Sequence, residues 1–237
     1  MNTYIFFLHL FLVLSFTWYA FKLTNKWNTT LPLMICASTQ VLLANLFVLK
    51  QIQLFGGVVT CSDAYAIGTL LAINLLQAQY GKNEAQRAAF LCIGLMGFFV
   101  VFSQIQLLYS PAVEDKAHAH YAFILSQSPR LVFASLAAFF VGQFLDRKVF
   151  TRLTNIRRTN AFAIRNLISI VCSQFTDTAL FTIIGLAGVL SPLWDIFLIS
   201  FLAKTIAIFA LTPIIHALSF ISQMKYDVKQ LVDKNAL

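Results

Sequence analysis

Apolar runs long enough to cross a lipid bilayer follow one another almost without pause along this chain, and nothing else in the sequence constrains its fold as strongly. A bilayer core about 30 Å thick needs about 20 mostly apolar residues in a helix. Seven stretches meet or approach that length: Tyr4–Phe21, Leu31–Leu49, Gly57–Tyr80, Arg87–Tyr109, Pro129–Phe150, Ala161–Val189 and Leu193–Phe220. Charge is correspondingly scarce. Only 11% of the 237 residues are charged and 59% are hydrophobic, whereas a soluble domain averages about 25% charged. Such a chain cannot cover a globule with solvated groups. A soluble enzyme, a disordered chain, a collagen and a disulfide scaffold are excluded, and the expected fold class is an all-α integral membrane protein. The 24 Phe suit a surface that faces lipid.

The net charge of +8 would suggest nucleic acid in a soluble protein. Here the basic residues lie in short loops between apolar runs, which makes them topology determinants. With the N-terminus outside and seven spans, twelve of the 17 Lys and Arg fall on the cytoplasmic side, most densely between Arg147 and Arg158. Lys50, Lys116 and Arg130 fall outside, while Arg165 and Lys204 lie within spans. The C-terminus is therefore expected in the cytoplasm, and no direct nucleic-acid partner is expected. The first run has no basic residue ahead of it and no small-x-small cleavage site at its end, so it reads as a retained helix rather than a signal peptide.

Cys36, Cys61, Cys92 and Cys172 each sit inside an apolar run without CxxC spacing and read as small buried hydrophobes. The outer segment Ser110–Gln127 carries an HxH pair, His118 and His120, which reads as part of a solvated loop because no further ligands lie nearby. No metal or other cofactor is expected. A P-loop, an HExxH helix and a GxSxG elbow are all missing from the sequence, which argues against an enzyme.

Polar residues within spans are expensive and mark candidate functional sites. The sixth run carries Arg165, Asn166, Ser169, Ser173, Gln174, Asp177 and Thr178. Asn166, Ser169, Ser173 and Asp177 recur at three- and four-residue steps and so line one helix face. Serines there suit interhelical hydrogen bonding; an Arg, a Gln and an Asp on one span ask for more. The seventh run carries Ser200, Lys204, Thr212 and His216. At 1.5 Å per residue, Asp177 and Lys204 lie at matched depth on consecutive antiparallel helices, which predicts a buried ion pair. The fifth run ends in Gln143 and Asp146, the latter at a depth suited either to Arg165 or to solvent. The third ends in Asn74, Gln77 and Tyr80 at three-residue spacing. Thr60, Ala64, Gly68 and Ala72 on the third run, and Ala134, Ala138 and Gly142 on the fifth, are small-residue seams that read as packing. Amide, carboxylate and hydroxyl groups thus converge from four spans, with Tyr65, Phe139 and Phe181 nearby, as suits a small, flat, polar ligand.

These residues also carry a resemblance. Ser128-Pro129-Arg130, Ala134-Ser135, Gly142-Gln143, Asp146, Phe150 and Leu153, then Arg165-Asn166, Ser169, Ser173-Gln174, Asp177-Thr178 and Phe181, resemble the runs that mark the queuosine precursor transporter family, also called the vitamin uptake transporters. Tyr80-Gly81, Ala85 and Arg87 resemble a further element of that family, and Lys204 sits where it places a lysine. The resemblance implies a six-helix importer-type membrane domain. It implies import of 7-cyano-7-deazaguanine, its aminomethyl relative or queuine for tRNA modification, with Asp177 or Asp146 accepting from the N1–H and exocyclic amine of the base. The chain departs from the family where Asn74-Leu75-Leu76-Gln77-Ala78-Gln79 stands in place of a carboxylate-bearing run. It also has an additional first span. Residues 1–24 are thus expected to be an extra transmembrane helix, 25–222 the transport domain and 223–237 a basic cytoplasmic tail.

The candidate substrate-binding set is Asn74, Gln77, Tyr80, Gln143, Asp146, Arg165, Asn166, Gln174, Asp177 and Lys204. The expected partners are the lipid bilayer and a small 7-deazaguanine. The energy source stays open between facilitated entry, proton coupling through Asp177 and a separate energising ATPase module. Two rivals stand beside the transporter: a membrane enzyme using Asp146 and Asp177 as an acid–base pair, and a structural membrane partner.

Overall fold

The computed structural model describes residues 1–155, 162–210 and 212–213. Its elements in chain order are α1 (Asn2–Trp27), α2 (Leu31–Phe47), a hairpin of β1 (Gln51–Leu54) and β2 (Gly57–Thr60), α3 (Asp63–Tyr80), α4 (Lys82–Leu107), α5 (His118–Ser126), α6 (Ser128–Asn155), α7 (Phe162–Phe181) with a π-helical turn (Thr182–Leu186), and α8 (Leu193–Ala210). Among the described residues, Asn2–Trp27, Lys82–Leu107, His118–Gly142, Ile168–Leu186 and Leu193–Ala210 are long and apolar enough to cross a membrane. Helix α2 is apolar but has 17 residues. The molecule is an all-α, multi-pass membrane-type protein with one small hairpin.

Two of the expected boundaries need correcting. The run Gly57–Tyr80 is not one helix: its first residues are β2, which pairs antiparallel with β1 in the register Gln51↔Thr60 to Leu54↔Gly57. The turn residues Phe55 and Gly56 both have positive φ, 51° and 84°, the geometry of a two-residue turn whose twist matches that of the strands. The segment Ser110–Gln127 is not all loop either, since α5 occupies His118–Ser126. The Asp115 carboxylate accepts from the backbone amides of Ala117 and His118, at 2.8 and 3.1 Å, just where that helix begins.

The chain packs as two compact units. One comprises Met1–Thr3, Leu42–Asp63 and Leu95–Thr205, the other Tyr4–Val41, Ala64–Gly94 and the described residues from Ile206 onward. In the second unit, Ala20 and Phe21 of α1, Leu33, Met34 and Ala37 of α2, Leu71, Ala72, Leu75 and Leu76 of α3, and Ala88 and Cys92 of α4 form one apolar core. Polar groups join it. Gln40 Nε2 donates to Thr17 Oγ1 at 2.8 Å, and the Leu33 amide to Thr24 Oγ1 at 3.3 Å. Helix α1 buries Thr17 and Thr24 while Phe7, Leu8, Phe11 and Phe16 point outward, an inversion natural where the outer solvent is lipid and polar groups find partners inside. A Cβ on Gly68 would stand 2.4 Å from both Gln40 Oε1 and Val13 Cγ1, so the small-residue seam of α3 is a site of close helix approach.

In the first unit, Val48, Leu131, Leu186 and Ile196 form a core to which Leu49, Val58, Phe181, Leu190 and Leu193 pack. It joins the hairpin, the start of α6, the π-helical turn and the start of α8. On α6, Ala134 and Ala138 are buried, and a Cβ on Gly185 of the π-helical turn would lie 3.2 Å from Ala134 Cβ. Ser173 donates to the Gly142 carbonyl at 2.9 Å, and a Cβ on Gly142 would lie 3.2 Å from Ser173 Oγ. Helix α7 is pinned to α8 by aromatic contacts of Phe175 with Phe197 and Phe201, their ring centroids 5.2 and 5.4 Å apart.

Candidate functional site

Ser200 and Lys204 stand four residues apart on α8 and so share a face. Asp177 and Thr178 lie in the last turns of α7, before the π-helical turn. The Lys204 ammonium donates to Asp177 Oδ2 at 3.5 Å and to Thr178 Oγ1 at 3.3 Å. The pair expected from matched depth is therefore present. Its contact is longer than the roughly 2.7–2.9 Å of a tight charge-assisted bond. Lys204 is 14% exposed and Asp177 28%, so the carboxylate keeps an open side.

A second carboxylate joins the network. Asp63, the first residue of α3, is buried, and its Oδ2 accepts the Ser200 hydroxyl at 2.7 Å. Lys204 also acts on it electrostatically. Three helices thus deliver two carboxylates, one ammonium and two hydroxyls to one place, Asp63 meeting Ser200 and Asp177 meeting Lys204. The geometry is fixed from outside. Gly57 of β2 lies so close to α8 that a Cβ there would meet Ile199 Cδ1 at 2.6 Å, and Gln51 Nε2 donates to the Ser191 carbonyl at 3.0 Å. Asp63 is not among the residues that the sequence singles out as candidates. The signal was a carboxylate inside the apolar run Gly57–Tyr80, the same kind that marked Asp177.

Arg130, which the sequence suggested was a loop charge, has structural work. Its Nε donates to the Ile184 carbonyl at 2.7 Å and its Nη2 to the Ala187 carbonyl at 2.5 Å. A helix end leaves its last carbonyls without helical partners. The guanidinium fork satisfies two of them at the end of the π-helical turn, where Gly188 takes φ +77° to leave it.

The other candidates divide as follows. Gln174 is half-buried on α7, a turn before Asp177. In the second unit, Asn74 is half-buried, Gln77 is exposed, and Tyr80 is half-buried with its hydroxyl donating to the Thr24 carbonyl of α1 at 3.4 Å. Gln143 and Asp146 are on α6 and Arg165 and Asn166 on α7, but their side chains lie outside the described part of the structure, as does the expected Asp146–Arg165 pair. His216 also lies outside the described residues. Among the described residues, no three His, Cys, Asp or Glu side chains are grouped so as to hold a metal ion.

A carboxylate with an open side, next to an ammonium, offers two acceptors beside a donor. That suits a planar ligand whose edge sets two adjacent donors beside an acceptor, and it needs no reactive nucleophile. Fold and site together define a multi-pass helical membrane protein with a partly buried ion network among its helices. A family model described as "Putative vitamin uptake transporter" matches residues 60–218, which include all five residues of the network. The chain belongs to that family, one of transporters and not of enzymes. Over 164 residues it is 30% identical to a Bacillus subtilis (strain 168) protein described as "Probable queuosine precursor transporter", a match covering 68% of this chain and 72% of that relative. No solved structure matches the chain.

Proposed function

We propose that this transporter imports a queuosine precursor, a 7-deazaguanine base, across a bacterial cytoplasmic membrane to supply tRNA modification. The Lys204–Asp177 pair carries the reading. A 7-deazaguanine presents N1–H and an exocyclic amine side by side, two donors that the two oxygens of Asp177 accept. Its adjacent carbonyl oxygen then meets the Lys204 ammonium. The long Lys204–Asp177 contact leaves room for such sharing, and the exposed side of Asp177 is where the ligand enters. The described function of the Bacillus subtilis relative supports the substrate class. Gln174, Gln143, Asp146, Arg165 and Asn166, with Asn74, Gln77 and Tyr80, complete the candidate binding set. Residues 25–222 would form the six-helix transport domain, with 1–24 an additional helix and 223–237 a cytoplasmic tail.

The test is a host unable to make 7-deazaguanines, fed each precursor separately, with queuosine in its tRNA as the readout. Expression of the chain should restore queuosine from at least one precursor at low external concentration. Asp177→Ala should abolish this at unchanged membrane levels. Restoration by Asp177→Ala equal to wild type would remove Asp177 from the site, and failure of the wild-type chain with every precursor would overturn the substrate class.

A further inference from the structure

The network holds two carboxylates against one ammonium. Lys204 spends its direct contacts on Asp177 and Thr178. Asp63, more deeply buried than Asp177, has a neutral hydroxyl as its direct partner. An ionised carboxylate in a low-dielectric interior is stable only when paired and well bonded. As a neutral acid, Asp63 keeps its bond to Ser200, because a hydroxyl can rotate to donate or accept. Among the described residues, the cation that acts on Asp63 is Lys204, already shared with Asp177, while Lys50 acts on the neighbouring Cys61. Cys61 lies two residues before it and is itself influenced by Lys50 and Asp63. Asp177 reaches it only by way of Lys204, and Asp195 lies more than a turn away along α8, against Gly57. The bilayer makes this imbalance matter, since a site enclosed during passage cannot borrow compensation from water.

7-Cyano-7-deazaguanine carries no amine to protonate and is uncharged, so its arrival changes nothing in this count, whereas its aminomethyl relative would bring an ammonium of its own. Counted over the described residues, the loaded site carries one surplus negative charge while Asp63 is ionised and none once Asp63 takes up a proton. From this count, which rests on the substrate class proposed above, we infer that Asp63 is the coupling residue of the transporter. It binds one proton from the side of entry, that proton crosses with the ligand as co-substrate, and both are released on the far side. Asp63 touches Ser200 and not the ligand; its part is to decide when the loaded site is neutral enough to close.

The experiment uses the full-length protein in liposomes with radiolabelled 7-cyano-7-deazaguanine as the probe. An inward proton gradient of one pH unit should sustain accumulation up to about tenfold. A protonophore should abolish it, and a sodium gradient should not replace it. Asp63→Asn, permanently neutral, should bring the accumulation ratio down to about one while exchange of labelled for unlabelled probe continues, which also shows that the variant is folded. Independently of any variant, adding the probe to wild-type liposomes at uniform pH should make the outer medium more alkaline. Undiminished gradient-driven accumulation by Asp63→Asn, accumulation that follows sodium, or no proton movement with the probe would each overturn the coupling role and leave the substrate class standing. A wild-type protein that exchanges no labelled probe would overturn the substrate class and the coupling role with it.

Discussion

At the scale of single residues, the charges on α7 and α8 are best understood by what each would suffer alone. Removing one member of a fully buried ion pair costs about 3–5 kcal/mol. Asp177 keeps more than a quarter of its side chain exposed, so Lys204→Met should cost less than that and lower the midpoint of thermal unfolding in detergent by a few degrees. Adding Asp177→Asn should restore that midpoint, because no charge is then stranded. Transport should stay absent, because the amide offers one acceptor where the ligand edge asks for two. A double variant both stable and active would make the pair purely structural. Ser173 illustrates the opposite case: its hydroxyl is used up on the Gly142 carbonyl, so of the polar residues along that face it serves packing, as a serine on a span commonly does.

At the scale of elements, the sequence was legible wherever period and depth sufficed. Counting residues along two antiparallel helices was enough to bring Asp177 to Lys204, and spacing by four was enough to foresee close packing along Ala134, Ala138 and Gly142. Hydropathy alone could not separate β2 from α3, because Gly57-Val58-Val59-Thr60 is as apolar as the helix that follows. The sign that was available is the pair Gly56-Gly57 between the alternating run Gln51-Ile52-Gln53-Leu54 and the β-branched Val58-Val59-Thr60. With α3 begun at the wrong residue, Asp63 fell in the middle of a run rather than at a helix start, and its partnership with Ser200 depends on a contact 137 residues distant that no local pattern encodes. Arg130 was equally hidden, for a charge near a span end serves topology and carbonyl capping with the same residue type. Its capping role has a measurable size. Hydrogen bonds from charged groups contribute about 1.5–3 kcal/mol each when protected from water, and solvent access here reduces that. Arg130→Met should therefore cost about 1–2 kcal/mol in all. Arg130→Lys should recover only part, lacking the fork that reaches two carbonyls. Unfolding midpoints of both variants check this, and wild-type behaviour from Arg130→Met would dismiss the capping role.

At the scale of the whole molecule, orientation follows from where the basic residues fall. The bias toward the Arg147–Arg158 side predicts a cytoplasmic C-terminus and an external N-terminus. A reporter active only in the cytoplasm should work when fused after Leu237 and fail when fused before Met1; activity at both ends would mean an even number of crossings.

The polar seam of α1 has a consequence for how the protein is made. The matched family region begins at residue 60, yet Thr17 and Thr24 supply partners to Gln40 and to the third amide of α2. Where helices enter the membrane in chain order, α2 arrives with that amide unmet and with Gln40 Nε2 holding only Cys36 Sγ of its own helix, at 3.2 Å. Helix α1, already inserted, is there to receive both. It acts as an internal escort for its successor, and the order in which the ribosome delivers the two helices becomes part of the folding route.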